Sequence, residues 1–154
     1  MTEYEKALDI ADRMGYRVDE IPLQANDGRV VGKDIYLRRG MTSIEKRDTT
    51  WEELWHGEIT VGNILDQNSV NARKQERLAR FKSYDSLMIL PGIIKARVAG
   101  CRNAYEIAEC IGISESTFRE ALEMYKQKFG RYIYLEGYII QFEPALQVFQ
   151  FKHI

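Results

Sequence analysis

The sequence is poor in the residues that build disulfide scaffolds and flexible linkers: it has two cysteines, three prolines and eleven dispersed glycines in 154 residues. Cys101 and Cys110 have the spacing of neither a zinc knuckle nor a Cys-x-x-Cys redox pair, so they are expected to be free structural or surface thiols. With no Pro- or Gly-rich tract, repeat or low-complexity stretch, there is no obvious linker, and the length suits one compact domain, 1–154. No apolar run approaches a membrane span, and the charged start Met1-Thr2-Glu3-Tyr4-Glu5-Lys6 lacks an apolar signal core, which makes the cytoplasm the expected compartment. Charge of one sign is missing too: 22 basic against 23 acidic residues leave no general footprint for nucleic acid or for a membrane surface. Histidine occurs twice, and His153, one residue from the C-terminus, is expected to be frayed rather than a ligand.

What is present reads as an α+β domain. Thr2 with Glu5 forms a capping-box pattern ahead of an amphipathic helix that ends at Gly15. Short extended pieces follow at 17–21, 29–31 and 34–37, punctuated by Pro22, Asn26-Asp27-Gly28 and Gly32, and predict a small twisted sheet. A second capping pattern, Thr42 with Glu45, opens a helix to about residue 58. A loop around 62–69 leads to a helix over 71–87, and together these make a core over 1–90. Helices starting at Pro91-Gly92, over 104–111 and over 114–129 make a helical segment, 91–130. The stretch 131–154 reads as a hairpin turning at Glu136-Gly137 plus a third strand.

The most informative run is Glu52-Glu53-Leu54-Trp55-His56, one residue short of the zincin motif His-Glu-x-x-His. On a helix, side chains 52 and 56 share a face about 5–6 Å apart at Cβ, which suits two ligands of one metal. Glu53 stands beside them as a candidate general base. Glu76, on the next helix, is placed as a third protein ligand, so the candidate metal set is Glu52, His56 and Glu76. Two carboxylates and one imidazole favour a divalent ion, zinc first, with more tolerance of manganese or magnesium than a site of two imidazoles.

Several further stretches extend the pattern: Gly15-Tyr16-Arg17-Val18 leading to Pro22-Leu23, Met41-Thr42-Ser43-Ile44-Glu45-Lys46-Arg47, and Thr60-Val61-Gly62-Asn63-Ile64-Leu65-Asp66-Gln67. Arg73-Lys74-Gln75-Glu76 and Tyr138-Ile139-Ile140-Gln141-Phe142-Glu143-Pro144 complete it. In this order the motifs resemble the ImmA/IrrE-type metallopeptidases of bacteria, prophages and mobile elements, over nearly the whole chain. The resemblance implies a zincin-like domain whose active-site helix lies on a small sheet. It also implies a helix-turn-helix repressor as substrate or binding partner. By position it makes His56 the second histidine of the motif, Glu53 the catalytic glutamate and Glu76 the downstream acidic ligand. Glu52 takes the first ligand position, as in the Glu-Glu-Leu-Gly-His form of phage-type relatives. Trp55 stands where relatives carry glycine or another small residue and is expected to narrow the groove beside the metal. Two readings stay open: an endopeptidase, and a catalytically silent relative that binds its partner without cutting it.

The segment 105–122 also has the look of a helix-turn-helix, with Ala108, Gly112 and Ile113 at the close-contact, turn and buried positions. Its second helix carries Glu115, Glu120 and Glu123 against Arg119, which repels phosphate, so an architectural or protein-docking role is expected and direct nucleic-acid binding is not.

Overall fold

The computed structural model describes the backbone of residues 1–61 and 69–151, and the side chains of these except at 61 and 69–71. It is a mixed α+β structure with six helices and two three-stranded sheets among those residues. The chain divides into two compact units, Met1–Leu87 and Met88–Ile154. Among the described residues no helix is long and apolar enough to cross a membrane.

The first unit begins with α1 (Glu3–Arg13). Thr2 Oγ1 accepts from the Glu5 amide at 3.1 Å, while the Glu5 carboxylate accepts from the Thr2 hydroxyl at 3.2 Å rather than from its amide. Half of the expected capping box is therefore made. After Gly15, whose φ of 87° ends the helix, come β1 (Arg17–Ile21), β2 (Gly28–Val31) and β3 (Asp34–Arg38). The sheet order is β1-β3-β2: β3 is central, parallel to β1 and antiparallel to β2. Strand alternation sends Ile35 and Leu37 of β3 inward, both fully buried. There they join Ala7 and Ala11 of α1, Tyr16, Met41, and Trp51 and Leu54 of the next helix in one core cluster.

That helix, α2 (Ser43–Val61), starts behind Thr42, whose Oγ1 accepts from the Glu45 amide at 3.2 Å. It packs against α1, β2, β3 and α3 (Ser69–Ser86), which explains why its sequence has no clean apolar stripe: a helix covered on several sides has no single solvent face. Two glycines set how closely it lies on its neighbours. A Cβ at Gly28 of β2 would collide with Thr49 Cγ2 and stand 3.0 Å from Glu53 Cγ. A Cβ at Gly57 would stand 2.7 Å from the Tyr16 hydroxyl and 3.1 Å from Val30 Cγ2.

In the second unit α4 (Ile89–Val98) starts two residues earlier than Pro91-Gly92 suggested. Pro91 sits in the first turn, where its missing N–H costs no helical hydrogen bond. Gly92 lets α4 lie against Ile111 of α5 (Ala104–Ile111), a Cβ there falling 2.7 Å from Ile111 Cγ1. Gly112, at φ 86°, and the Ile113 amide bonded to Ala108 O at 3.0 Å close α5, and Ser114 caps α6 (Glu115–Phe129) through the Thr117 amide at 3.1 Å. The buried Tyr125 of α6 stacks on Phe129 and Phe142. Strands β4 (Tyr132–Leu135), β5 (Tyr138–Gln141) and β6 (Gln147–Gln150) form an antiparallel sheet, with Glu136 and Gly137 both at positive φ in the two-residue turn.

Candidate functional site on helices α2 and α3

Helix α2 is anchored so that Leu54 is fully buried and Glu53, only 9% exposed, lies beneath Gly28 at the edge strand β2. His56, three residues on, projects toward α3. Its Nε2 is 2.6 Å from Glu76 Oε2, and its Nδ1 is 3.7 Å from Glu53 Oε2. The Glu76 carboxylate extends further, its other oxygen accepting from Arg80 Nε at 3.3 Å one turn along α3. Glu53 first, and Glu76 with it, push the His56 pKa up to about 9 against the effect of burial. By distance the tighter partner is Glu76; Glu53 stands beyond direct hydrogen-bond length. At neutral pH the ring is an imidazolium between two carboxylates, with Nε2–H donating to Glu76.

The structure thus brings together three of the residues singled out in the sequence: Glu53, His56 and Glu76. Glu52 is half-buried on α2 and is not among the groups that set the charge of the His56 ring. Among the described residues no group of three His, Cys, Asp or Glu side chains is arranged to hold a metal. The donor pair itself fits in part. A tetrahedral zinc ion bonded at about 2.0–2.1 Å holds two donors roughly 3.3 Å apart. From 2.6 Å, His56 Nε2 and Glu76 Oε2 would have to open by roughly 0.7 Å, and His56 would have to lose its proton.

Trp55 points the other way along α3. Its Nε1–H donates to Ser86 Oγ at 2.9 Å, its ring packs against the core cluster, and Lys82 Nζ lies 6.0 Å from the ring centroid. The indole fastens α2 to the last turn of α3. A second polar anchor holds the opposite flank of α2: Tyr16 donates to Glu58 Oε2 at 2.9 Å, and Lys33 reaches the same oxygen at 3.4 Å. Burial, then the Glu58 carboxylate, hold the Tyr16 phenol well above its usual value.

Neither Arg80 nor Ser86 was singled out in the sequence. Arg80 stands four residues after Glu76, a spacing at which a helical ion pair is readable; Ser86 carries no such signal. Tyr84 of α3 is 4% exposed and packs edge-on against Phe81 at 6.1 Å. Asp66 and His153 lie outside the described residues. On α6, Arg119 is paired with Glu115 at 2.9 Å and Lys126 with Glu123 at 3.0 Å, so cations of this helix are tied to its own acids.

Comparison of the chain with protein-family models, with curated proteins and with solved structures gives no match.

Proposed function

We propose that the chain is a metal-dependent endopeptidase of the ImmA/IrrE type with a zincin-like core, acting on a cytoplasmic helix-turn-helix repressor of a phage or mobile element. The observation that carries the reading is the meeting of His56 Nε2 and Glu76 Oε2 across α2 and α3, with the Glu53 carboxylate on the flank of the same ring. His56 and Glu76 are the residues that would hold a zinc ion, and Glu52 is the remaining ligand candidate of the motif. When bound, the ion supplies Lewis-acid polarisation of the scissile carbonyl. Glu53, held under Gly28, serves as the base that takes a proton from the attacking water and returns it to the leaving amine. Among the described residues β2 is the edge strand of its sheet and lies directly over Glu53, which favours an extended peptide as substrate, because an edge strand can pair with an added one. Co-expression of the chain with a helix-turn-helix repressor from its own genome tests the reading: a cleavage product with wild type and none with Glu53→Gln is the expected result, and an intact repressor with both ends it.

Arg80 favours a second reading, a catalytically silent relative that binds the repressor uncut. Its guanidinium, 3.3 Å from Glu76, contributes a positive charge where a metal would add two more. Elemental analysis of protein purified without added metal separates the readings. A stoichiometric divalent ion supports the peptidase, whereas metal-free protein that still retains the repressor on a column supports the silent binder.

A further inference from the structure

The β4-β5-β6 sheet has an outer face that the first functional reading does not use. Strand register aligns Tyr134, Ile139 and Phe149 in one row across the three strands, and Tyr132, Gln141 and Gln147 in the next. Tyr132, Tyr134, Phe149 and Phe151 are 48%, 60%, 46% and 37% exposed, an amount of open aromatic surface that a folded domain seldom leaves without use. Tyr134 stacks with Phe151 at 5.0 Å and meets Tyr132 edge-on at 5.4 Å, so these three rings form one connected platform, and Phe149 stands in the same row of the sheet as Tyr134. Neither row contains a charged residue. At its Tyr132 end the platform runs into a cavity of about 820 Å³ lined by Lys126, Arg131, Tyr132, Gln141, Glu143 and Pro144.

We infer that this face binds single-stranded nucleic acid, with unpaired bases on the Tyr132, Tyr134 and Phe149 rings and a backbone phosphate at Arg131. Base stacking on strand-borne aromatics, amides that read base edges and a cation for the phosphate are the three components such a surface needs. Here they adjoin: Tyr132 belongs to both the platform and the cavity, and Gln141 lines the same space, with one amide N–H donating to Ala145 O at 3.3 Å. An apolar protein partner or a second copy of the chain would account for the rings alone. Duplex DNA does not fit, because stacking on the rings needs bases already out of the stack, and α6 carries as many acids as cations, Glu115, Glu120 and Glu123 against Arg119, Lys126 and Lys128. The near-neutral charge of the chain limits the electrostatic share, so affinity rests on stacking more than on phosphate contacts.

The inference is independent of the peptidase reading and is tested with the full chain. Fluorescein-labelled oligothymidylate and oligouridylate of about twelve nucleotides, and a duplex of equal length, are titrated and followed by anisotropy. Single strands should bind in the micromolar range and the duplex more weakly. Tyr134→Ala should weaken single-strand binding about tenfold, and Arg131→Ala should weaken it with a shallower dependence on salt. Both side chains are exposed, and the circular dichroism and melting of each variant should match wild type. Three results overturn the inference: no single-strand binding up to roughly 100 µM at low salt, in the millimolar class or weaker; tighter binding of the duplex; or a sedimentation dimer that Tyr134→Ala dissociates, which would assign the rings to self-association.

Discussion

His56 on α2 and Glu76 on α3 are joined by a 2.6 Å contact between Nε2 and Oε2, the ring nitrogen and the carboxylate each being what the other needs if no metal lies between them. Glu53 and Arg80 complete a short chain of alternating charge along Glu53, His56, Glu76 and Arg80. The consequences differ with pH and with metal.

In chelator-treated protein the His56 imidazolium should titrate near 9 rather than 6.5. Because the folded-state pKa is raised, its stabilising contribution is complete below about pH 6.5 and is lost as the pH rises to about 9. Urea denaturation across that range should show stability falling by about 3 kcal/mol or less, with a smaller loss in Glu76→Gln. A flat profile in wild type would show that the ring is not held charged.

Metal retention should follow the opposite course, since the ion competes with the proton on Nε2. Affinity for zinc should rise with pH through about 9, and His56→Ala should abolish retention. Equal metal content in wild type and His56→Ala would remove His56 from the site.

Glu53→Gln should keep the fold, because the near-isosteric amide still fills the space under Gly28, and should keep the metal. Cleavage of the repressor should fall about 10²–10⁴-fold, the usual contribution of a general base. Undiminished cleavage would exclude Glu53 from that role.

Trp55 offers two substitutions that separate packing from hydrogen bonding. Trp55→Phe loses the bond to Ser86 Oγ and should cost about 1 kcal/mol. Trp55→Gly adds the loss of ring packing and a helix penalty of roughly 1 kcal/mol, so its melting temperature should fall further. If Trp55→Gly leaves stability unchanged while repressor cleavage rises, the ring obstructs the groove rather than supporting the helix pair.

Gly57→Ala should destabilise the first unit by about 1–3 kcal/mol even though alanine is the better helix former, since the added methyl would press on the Tyr16 ring and hydroxyl. An unchanged or raised melting temperature would mean that Tyr16 yields without losing its bond to Glu58.

Much of this architecture was written locally. Thr2 and Thr42 announce helix starts, Gly15 and Gly112 announce helix ends, and Glu136-Gly137 announces a tight hairpin, because caps and positive-φ turns depend on a few neighbouring residues. The helical spacing of Glu53 and His56 and the later Glu76 were legible for the same reason. What the sequence could not decide was anything requiring two elements to meet. The β1-β3-β2 order depends on which strand Ile35 and Leu37 make the buried centre. The partner of the Trp55 indole is a serine thirty-one residues away. The charge of His56 depends on the approach of α3 as much as on its neighbour Glu53. Local propensity acts through the backbone of a few adjacent residues, whereas a side chain's partner and its ionisation are set by the low-dielectric space that only packed elements enclose.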